Sequence, residues 1–249
     1  MYVFYTQAFQ SDKAILTEEE SLHLSKVLRL KEGEHVLILD GKGNMFEGEI
    51  LLVHAKNSAV GNLKRLDAGS QRPYRLHVAI APTKMMERLE WFLEKATEIG
   101  IDEITPLISK RTERDQVKMQ RVEKIVLAAM KQSMNAHMPV LNEVTSFSSF
   151  LKKETTGAHF IAHCIPGTKP LLTNLARQQS TITVLVGPEG DFTSEEVDQA
   201  LQAGYTAISL GESRLRAETA GVIVCAQVQA AWQMAAPDFS AAPDFSPGI

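Results

Sequence analysis

Two glycine turns, each fed by a strand-like run, lie about one helix apart in the last third of the chain. The first run, Thr181-Ile-Thr-Val-Leu-Val186, empties into Gly187-Pro-Glu-Gly190-Asp-Phe192. The second, Ala207-Ile-Ser-Leu210, empties into Gly211-Glu-Ser-Arg-Leu-Arg216-Ala-Glu218-Thr219. Short apolar runs bounded by turn residues read as buried strands. Ligands of open α/β sheets bind beyond the carboxyl ends of strands, where chain leaves the sheet. Two adjacent strands ending in backbone-rich turns would frame one small-molecule site between them.

The pattern upstream alternates in the same way. Residues 76–81 read as a strand closed by Pro82, and Thr83 can cap a helix over 85–99. On that helix Met85, Leu89, Phe92, Leu93, Ala96 and Ile99 are expected to share one face, and Gly100 supplies the stop. Residues 101–108 read as a strand made irregular by Pro106. An amphipathic helix over 116–134, a strand over 159–164 and a helix over 171–178 follow. Thr193-Ser-Glu-Glu196 is a capping box that opens a helix ending at Gly204. Residues 218–234 form the last helix. Strand–helix alternation predicts an α/β fold, a mostly parallel sheet covered by helices on both faces.

The first 70 residues differ in kind and read as a compact β-rich module. Thr17 opens a short helix, with Glu20 placed to complete a capping box. Strands are expected at 36–39 and 46–53, separated by Asp40-Gly41 and Gly43-Asn44 turn signals. Gly69-Ser-Gln-Arg-Pro73 has linker composition, so the expected organisation is a module over 1–70 and an α/β domain over 71–236. The end repeats Ala-Pro-Asp-Phe-Ser at 236–240 and 242–246. With no amphipathic period, residues 237–249 are expected to form a disordered tail.

Composition narrows the function classes. The 249 residues are 44% hydrophobic and 22% charged, which is ordinary globular usage. No apolar run is long enough to span a bilayer, and the N-terminus lacks the pattern of a signal peptide. Cys164 and Cys225 are far apart in sequence and are expected as buried free thiols of a cytoplasmic protein. No histidine–cysteine–carboxylate cluster has ligand spacing, so no metal is expected. The net charge of −4 argues weakly against nucleic-acid binding. Local patches matter more than the sum, so that role stays open.

Gly187 and Gly190 let a backbone approach a ligand closely, and fixed N–H and C=O groups read a planar heterocycle well. Phosphate is a poorer fit. The Walker pattern and the three-glycine dinucleotide fingerprint are both absent, Pro188 removes a donor, and Glu189 would repel an anion. A ligand-free strand-to-helix turn fits the spacing equally. Standing alone, Glu218 reads better as a first-turn acid favoured by the helix dipole than as a functional carboxylate. Standing alone, Arg216 likewise reads better as its surface partner than as a site cation.

Two phrases go further. Gly187-Pro-Glu-Gly190-Asp-Phe-Thr-Ser-Glu195 and Ser209-Leu-Gly-Glu-Ser-Arg-Leu-Arg-Ala-Glu-Thr-Ala220 resemble those of the 16S ribosomal RNA (uracil-N3) methyltransferases, of the SPOUT class. Three upstream segments agree in order: Leu22-His-Leu-Ser-Lys-Val-Leu-Arg29-Leu-Lys-Glu-Gly33; Lys84-Met-Met-Glu-Arg88 with Glu94-Lys-Ala-Thr-Glu98; and Gln132-Ser133 with Pro139. The resemblance covers nearly the whole chain except the tail.

The resemblance implies a small N-terminal PUA-like β-barrel that binds RNA and a SPOUT sheet threaded into a C-terminal trefoil knot. It implies a homodimer that uses S-adenosyl-L-methionine to methylate N3 of a uridine in 16S rRNA of the small ribosomal subunit. Carried over residue by residue, Val186, Gly187, Glu189, Gly190, Leu210, Gly211, Leu215 and Thr219 would hold the cofactor. Arg216 and Glu218 would be catalytic, and Arg29, Lys84, Arg88 and Arg111 would contact RNA.

Three positions depart from the family pattern. Many members have a second glycine where Asp191 stands. Many have an arginine soon after the Gln-Ser pair, where Met134-Asn135-Ala136 lies here, and many have an arginine where Ser213 stands. Action on another RNA base or a ribose stays open, as does a non-catalytic RNA-binding protein. The intact Arg216-Ala-Glu218-Thr219 argues for an enzyme.

Overall fold

A computed structural model describes residues 1–66, 72–153, 156–177 and 179–234. Most of the expected linker, the end of the expected 171–178 helix and the repeated tail lie outside these residues. The chain forms two compact units. One gathers the described residues before 67 together with Met130–Met138, and the other gathers the rest. Among the described residues no helix is long and apolar enough to cross a membrane.

The first unit is a six-stranded sheet built from β1 (Val3–Tyr5), β2 (Ala8–Gln10), β3 (Lys13–Ile15), β4 (His35–Leu39), β5 (Met45–Leu52) and β6 (Ala59–Leu66). Its order is β1-β4-β5-β6-β3-β2, antiparallel except for the β1–β4 pair. Two register shifts between β5 and β6 interrupt the ladder, and such bulges bend a sheet and raise its twist. Phe4, Leu16, Leu24, Val36, Ile38 and Ile50 fill its core.

Helix α1 (Glu18–Leu22) opens where Thr17 predicts, with the Thr17 side chain accepting from the Glu20 N–H. The other half of the expected capping box does not form. The Glu20 side chain is buried and accepts instead from Lys131 Nζ at 2.6 Å. Lys131 belongs to Met130–Met138, a segment pinned by Gly43 N–H to Ala136 O and Met138 N–H to Gly41 O, both 2.9 Å. Sequence distance hides this arrangement, because the partner of Glu20 lies over a hundred residues away.

The second unit is a seven-stranded, wholly parallel sheet. Its elements are β7 (Arg75–Ile80), α2 (Met86–Ile99), β8 (Glu103–Ile108), α3 (Met119–Gln132, of which residues from Met130 on belong to the first unit), β9 (Val140–Leu141), β10 (Thr145–Ser146), α4 (Phe147–Leu151), β11 (Ala158–Ala162), α5 (Leu172–Ala176), β12 (Thr181–Val186), α6 (Ser194–Gln202), β13 (Thr206–Ile208) and α7 (Ala217–Gln233). The strand order is β10-β8-β7-β12-β11-β13, with β9 also on β8. On one face Leu107, Phe147, Phe150, Ile161, Leu185, Phe192 and Val197 make a closed apolar cluster. On the other, α7 packs against α2, α5, β7 and β12. Alternate side chains along each strand serve the two faces, so β12 is buried almost throughout.

Two local expectations change. Thr83 does not cap α2, because its hydroxyl donates to Met85 O at 2.7 Å and the cap position carries no side-chain bond. Pro106 leaves β8 regular. The β9 ladder on β8 stops at Ile104 and the β10 ladder begins at Leu107. The missing proline N–H falls in the gap between them.

Candidate active site

The two glycine turns do face one cleft, but their strands are not neighbours. β11 lies between β12 and β13 and pairs with both. Three strand ends therefore build the site: Ala162–Ile165 after β11, Val186–Phe192 after β12 and Ile208–Ala217 after β13. The cleft they enclose is about 920 Å³, within the size range of small-molecule and cofactor sites. The contribution of β11 is absent from any motif. Its strand was legible at 159–164, but strand order is a tertiary property.

The first turn is over-determined by its neighbours. Gly187 packs against Phe192, whose ring would lie 3.1 Å from an added Cβ, and the stem of Arg111 would lie 3.3 Å from one on Gly190. The missing side chains thus make room for the protein's own groups as well as for backbone access. Arg111 Nη1 donates to Gly190 O at 2.7 Å, and Glu189 Oε1 accepts from the Lys84 N–H at 3.0 Å. Arg114 in turn donates to Lys84 O at 3.0 and 3.2 Å. The turn ends in the predicted capping box of Thr193 and Glu196. Glu196 also accepts from the Lys110 N–H at 2.7 Å, tying the loop after β8 to the start of α6.

The second turn is held from both sides. Ser209 Oγ accepts from the Gly211 N–H at 3.2 Å and donates to Gly211 O at 3.1 Å. Gln227, one face down α7, donates to Leu210 O at 2.9 Å. Gly211 sits at φ +134° with open space around it, a conformation that excludes side chains. Leu215 and Arg216 complete this wall, and Arg216 is exposed at the N-cap of α7 with no capping bond.

Of the residues singled out in the sequence, Val186, Gly187, Glu189, Gly190, Leu210, Gly211, Leu215, Arg216 and Arg111 line the cleft. Thr219 and Glu218 do not. Glu218 is buried, with Oε1 3.8 Å from Arg88 Nε and Oε2 without a hydrogen-bond partner. Lys84 pairs with Glu113 at 2.9 Å on the protein surface. Arg29 is exposed in the other unit at φ +55°. Residues the motifs missed are His163, Cys164, Lys169 and Gln227. Cys164 is exposed on the cleft wall rather than buried, whereas Cys225 is buried and its thiol is pushed up to about 12 by desolvation. His163 is held below its ordinary value by burial first and by the Lys169 charge second, against an opposing pull from Asp191. Among the described residues no three histidine, cysteine or carboxylate side chains group as metal ligands.

Comparison with known proteins supplies a family for this geometry. Residues 70–229 match the RNA methyltransferase domain, and residues 16–63 match the RNA methyltransferase PUA domain. The Ribosomal RNA small subunit methyltransferase E of Rickettsia conorii is 31% identical over 88% of this chain and 91% of its own length. The protein of the same name from Synechocystis is 29% identical over 86% of this chain and 72% of its own. A crystal structure of the Neisseria gonorrhoeae Ribosomal RNA small subunit methyltransferase E, bound to S-adenosyl methionine, superposes with a TM-score of 0.85 at 26% identity. It covers 93% of this chain and 98% of that one. The domain match over residues 70–229 and the 31% identity across 88% of the sequence place this chain, with its paired glycine turns, in the family of the ribosomal RNA small subunit methyltransferases E.

Proposed function

We propose that this protein transfers the methyl group of S-adenosyl-L-methionine to N3 of a uridine in 16S rRNA of the small ribosomal subunit. The observation that carries the reading is the three-walled cleft with Arg216 on its rim. The residues present suit that cofactor. Backbone groups at 186–190 and 210–211 can read an adenine and an amino-acid backbone, and the cleft volume accommodates a ligand of that size. Bound there, the cofactor supplies an electrophilic methyl on a sulfonium.

The protein's own task is to align the acceptor nitrogen, exclude water and stabilise charge. Uracil N3 is a poor nucleophile until it loses its proton, and the charge then spreads to the flanking carbonyl oxygens. In this reading the guanidinium of Arg216, exposed on the cleft wall, meets that charge. Glu218 is buried outside the wall beside Arg88. In this reading it acts as a positioning residue that fixes Arg88 and the start of α7, while water carries away the N3 proton. The target base leaves its stack to enter. Arg29, Lys84, Arg88 and Arg111 supply phosphate contacts, with the N-terminal module as a second RNA-binding surface.

A C-terminal trefoil knot and a homodimer belong to the same reading and rest on the family resemblance. Light scattering tests the dimer. The function is tested by incubating the protein with small subunits from cells lacking the gene and with isotopically labelled S-adenosylmethionine. Labelled 3-methyluridine in one 16S fragment supports the proposal. Label on another nucleoside moves the acceptor, and no label refutes the activity.

A further inference from the structure

Asp191 occupies a left-handed backbone conformation, φ +63°, on the wall of the cleft. Its N–H closes the turn on Pro188 O at 2.8 Å. Both carboxylate oxygens are engaged. Oδ1 accepts from the Phe192 N–H at 2.8 Å, and Oδ2 accepts from the Cys164 N–H at 2.7 Å. The first bond stays within the turn after β12. The second crosses to the loop after β11, which carries His163, Cys164 and Ile165 along the facing wall. That loop is tied at its far end by Lys169 Nζ, which donates to Ile165 O at 2.6 Å. Asp191 provides the side-chain tie between the two walls.

Aspartate and asparagine are among the few side chains that accept a left-handed conformation, because they bond to nearby backbone. Charge-assisted hydrogen bonds are short and about twice as strong as neutral ones. The geometry points to Asp191 as a positioning residue of the cofactor cleft: its carboxylate joins the turn after β12 to the loop after β11 and thereby sets the separation of the two walls. This rests on the cofactor reading above. It assigns the residue no contact with the reacting atoms.

The test uses the full chain and S-adenosylhomocysteine as probe. Calorimetric affinity is measured for the parent, Asp191→Gly and Asp191→Asn, together with amide exchange at Cys164 and thermal stability. Glycine keeps the left-handed turn and removes the tie. Asparagine keeps the turn and one acceptor oxygen. Losing a hydrogen bond to a charged group at a binding wall predicts about tenfold weaker binding for Asp191→Gly, with Asp191→Asn in between. Exchange at Cys164 should accelerate in the same order, while KM for the small subunit stays unchanged. A purely structural residue would lower the melting temperature without this ordered loss of affinity. Equal affinities and unchanged Cys164 exchange in both variants would overturn the inference and leave the cofactor reading standing. Refusal of the probe by the parent would bring down both. If the glycine variant does not fold, the asparagine variant carries the same comparison.

Discussion

At the scale of single residues, the site separates groups that face the cleft from groups that hold others in place. Arg216 is exposed on the wall, and Glu218 is buried and does not line the cleft. The Arg216→Ala change should therefore lower kcat by about 10²–10³, the usual loss when one donor to a developing oxyanion is removed. Glu218→Gln should cost less in kcat. Single-turnover rates for both variants, with cofactor affinity measured alongside, check the order, and equal losses would make Glu218 a direct participant. The two thiols give an independent probe. Cys164 should react with a thiol reagent in the native protein, and saturating S-adenosylhomocysteine should slow it. Cys225, buried and with its thiol pushed up to about 12, should react only on unfolding. Protection of neither thiol by the ligand would place the cofactor elsewhere.

At the scale of elements, local chemistry was readable and long-range pairing was not. The Thr193–Glu196 capping box forms as its spacing predicts, because both partners lie within one turn. Thr193→Ala should cost about 1 kcal/mol in urea unfolding, the typical value for a lost N-cap. A larger loss would show that the Lys110 contact of Glu196 depends on the cap. Glu20 has the same local signature as Glu196, yet it turns to Lys131. Nothing near it in sequence marks that partner. Pro106 looks disruptive until the ladders of β9 and β10 are seen to leave a gap beside it. The intervening position of β11 was equally hidden, since periodicity says where a strand is and not which strand it joins. As a result the turns were recognised, but the His163–Cys164 wall was not.

Burial of His77 on β7 predicts a pH dependence of stability. His77 Nε2 lies 2.8 Å from Thr105 Oγ1 on β8. Burial lowers its pKa below the ordinary 6.5, Glu103 opposes the shift, and Lys153 adds to it. Between the folded and unfolded values the unfolded chain binds more protons, so stability rises with pH in that window. The contribution is complete above about 6.5 and is lost as the pH falls through that value toward the lower folded one. Denaturation at pH 5 and pH 7.5 should show less of this difference in His77→Gln than in the parent. An identical pH dependence would assign the effect to other groups.

At the scale of the whole molecule, two units of different architecture serve one proposed reaction. The mostly antiparallel module matches the PUA domain of RNA methyltransferases and leaves Arg29 exposed, and the parallel sheet presents the cleft at its carboxyl edge. Alternation of strands and helices was enough to predict the parallel sheet, because each segment had to bury its own apolar face. Inclusion of Met130–Met138 in the N-terminal unit was not predictable, since the segment continues an amphipathic helix whose earlier turns belong elsewhere. Cofactor binding in the cleft is decided by crystals grown with S-adenosylhomocysteine. Ligand density is expected against Gly187–Gly190 and Leu210–Leu215, with Arg216 beside an open acceptor position. Density at any other place, or a cleft closed by Arg111 and Leu215 with the ligand refused, would contradict it.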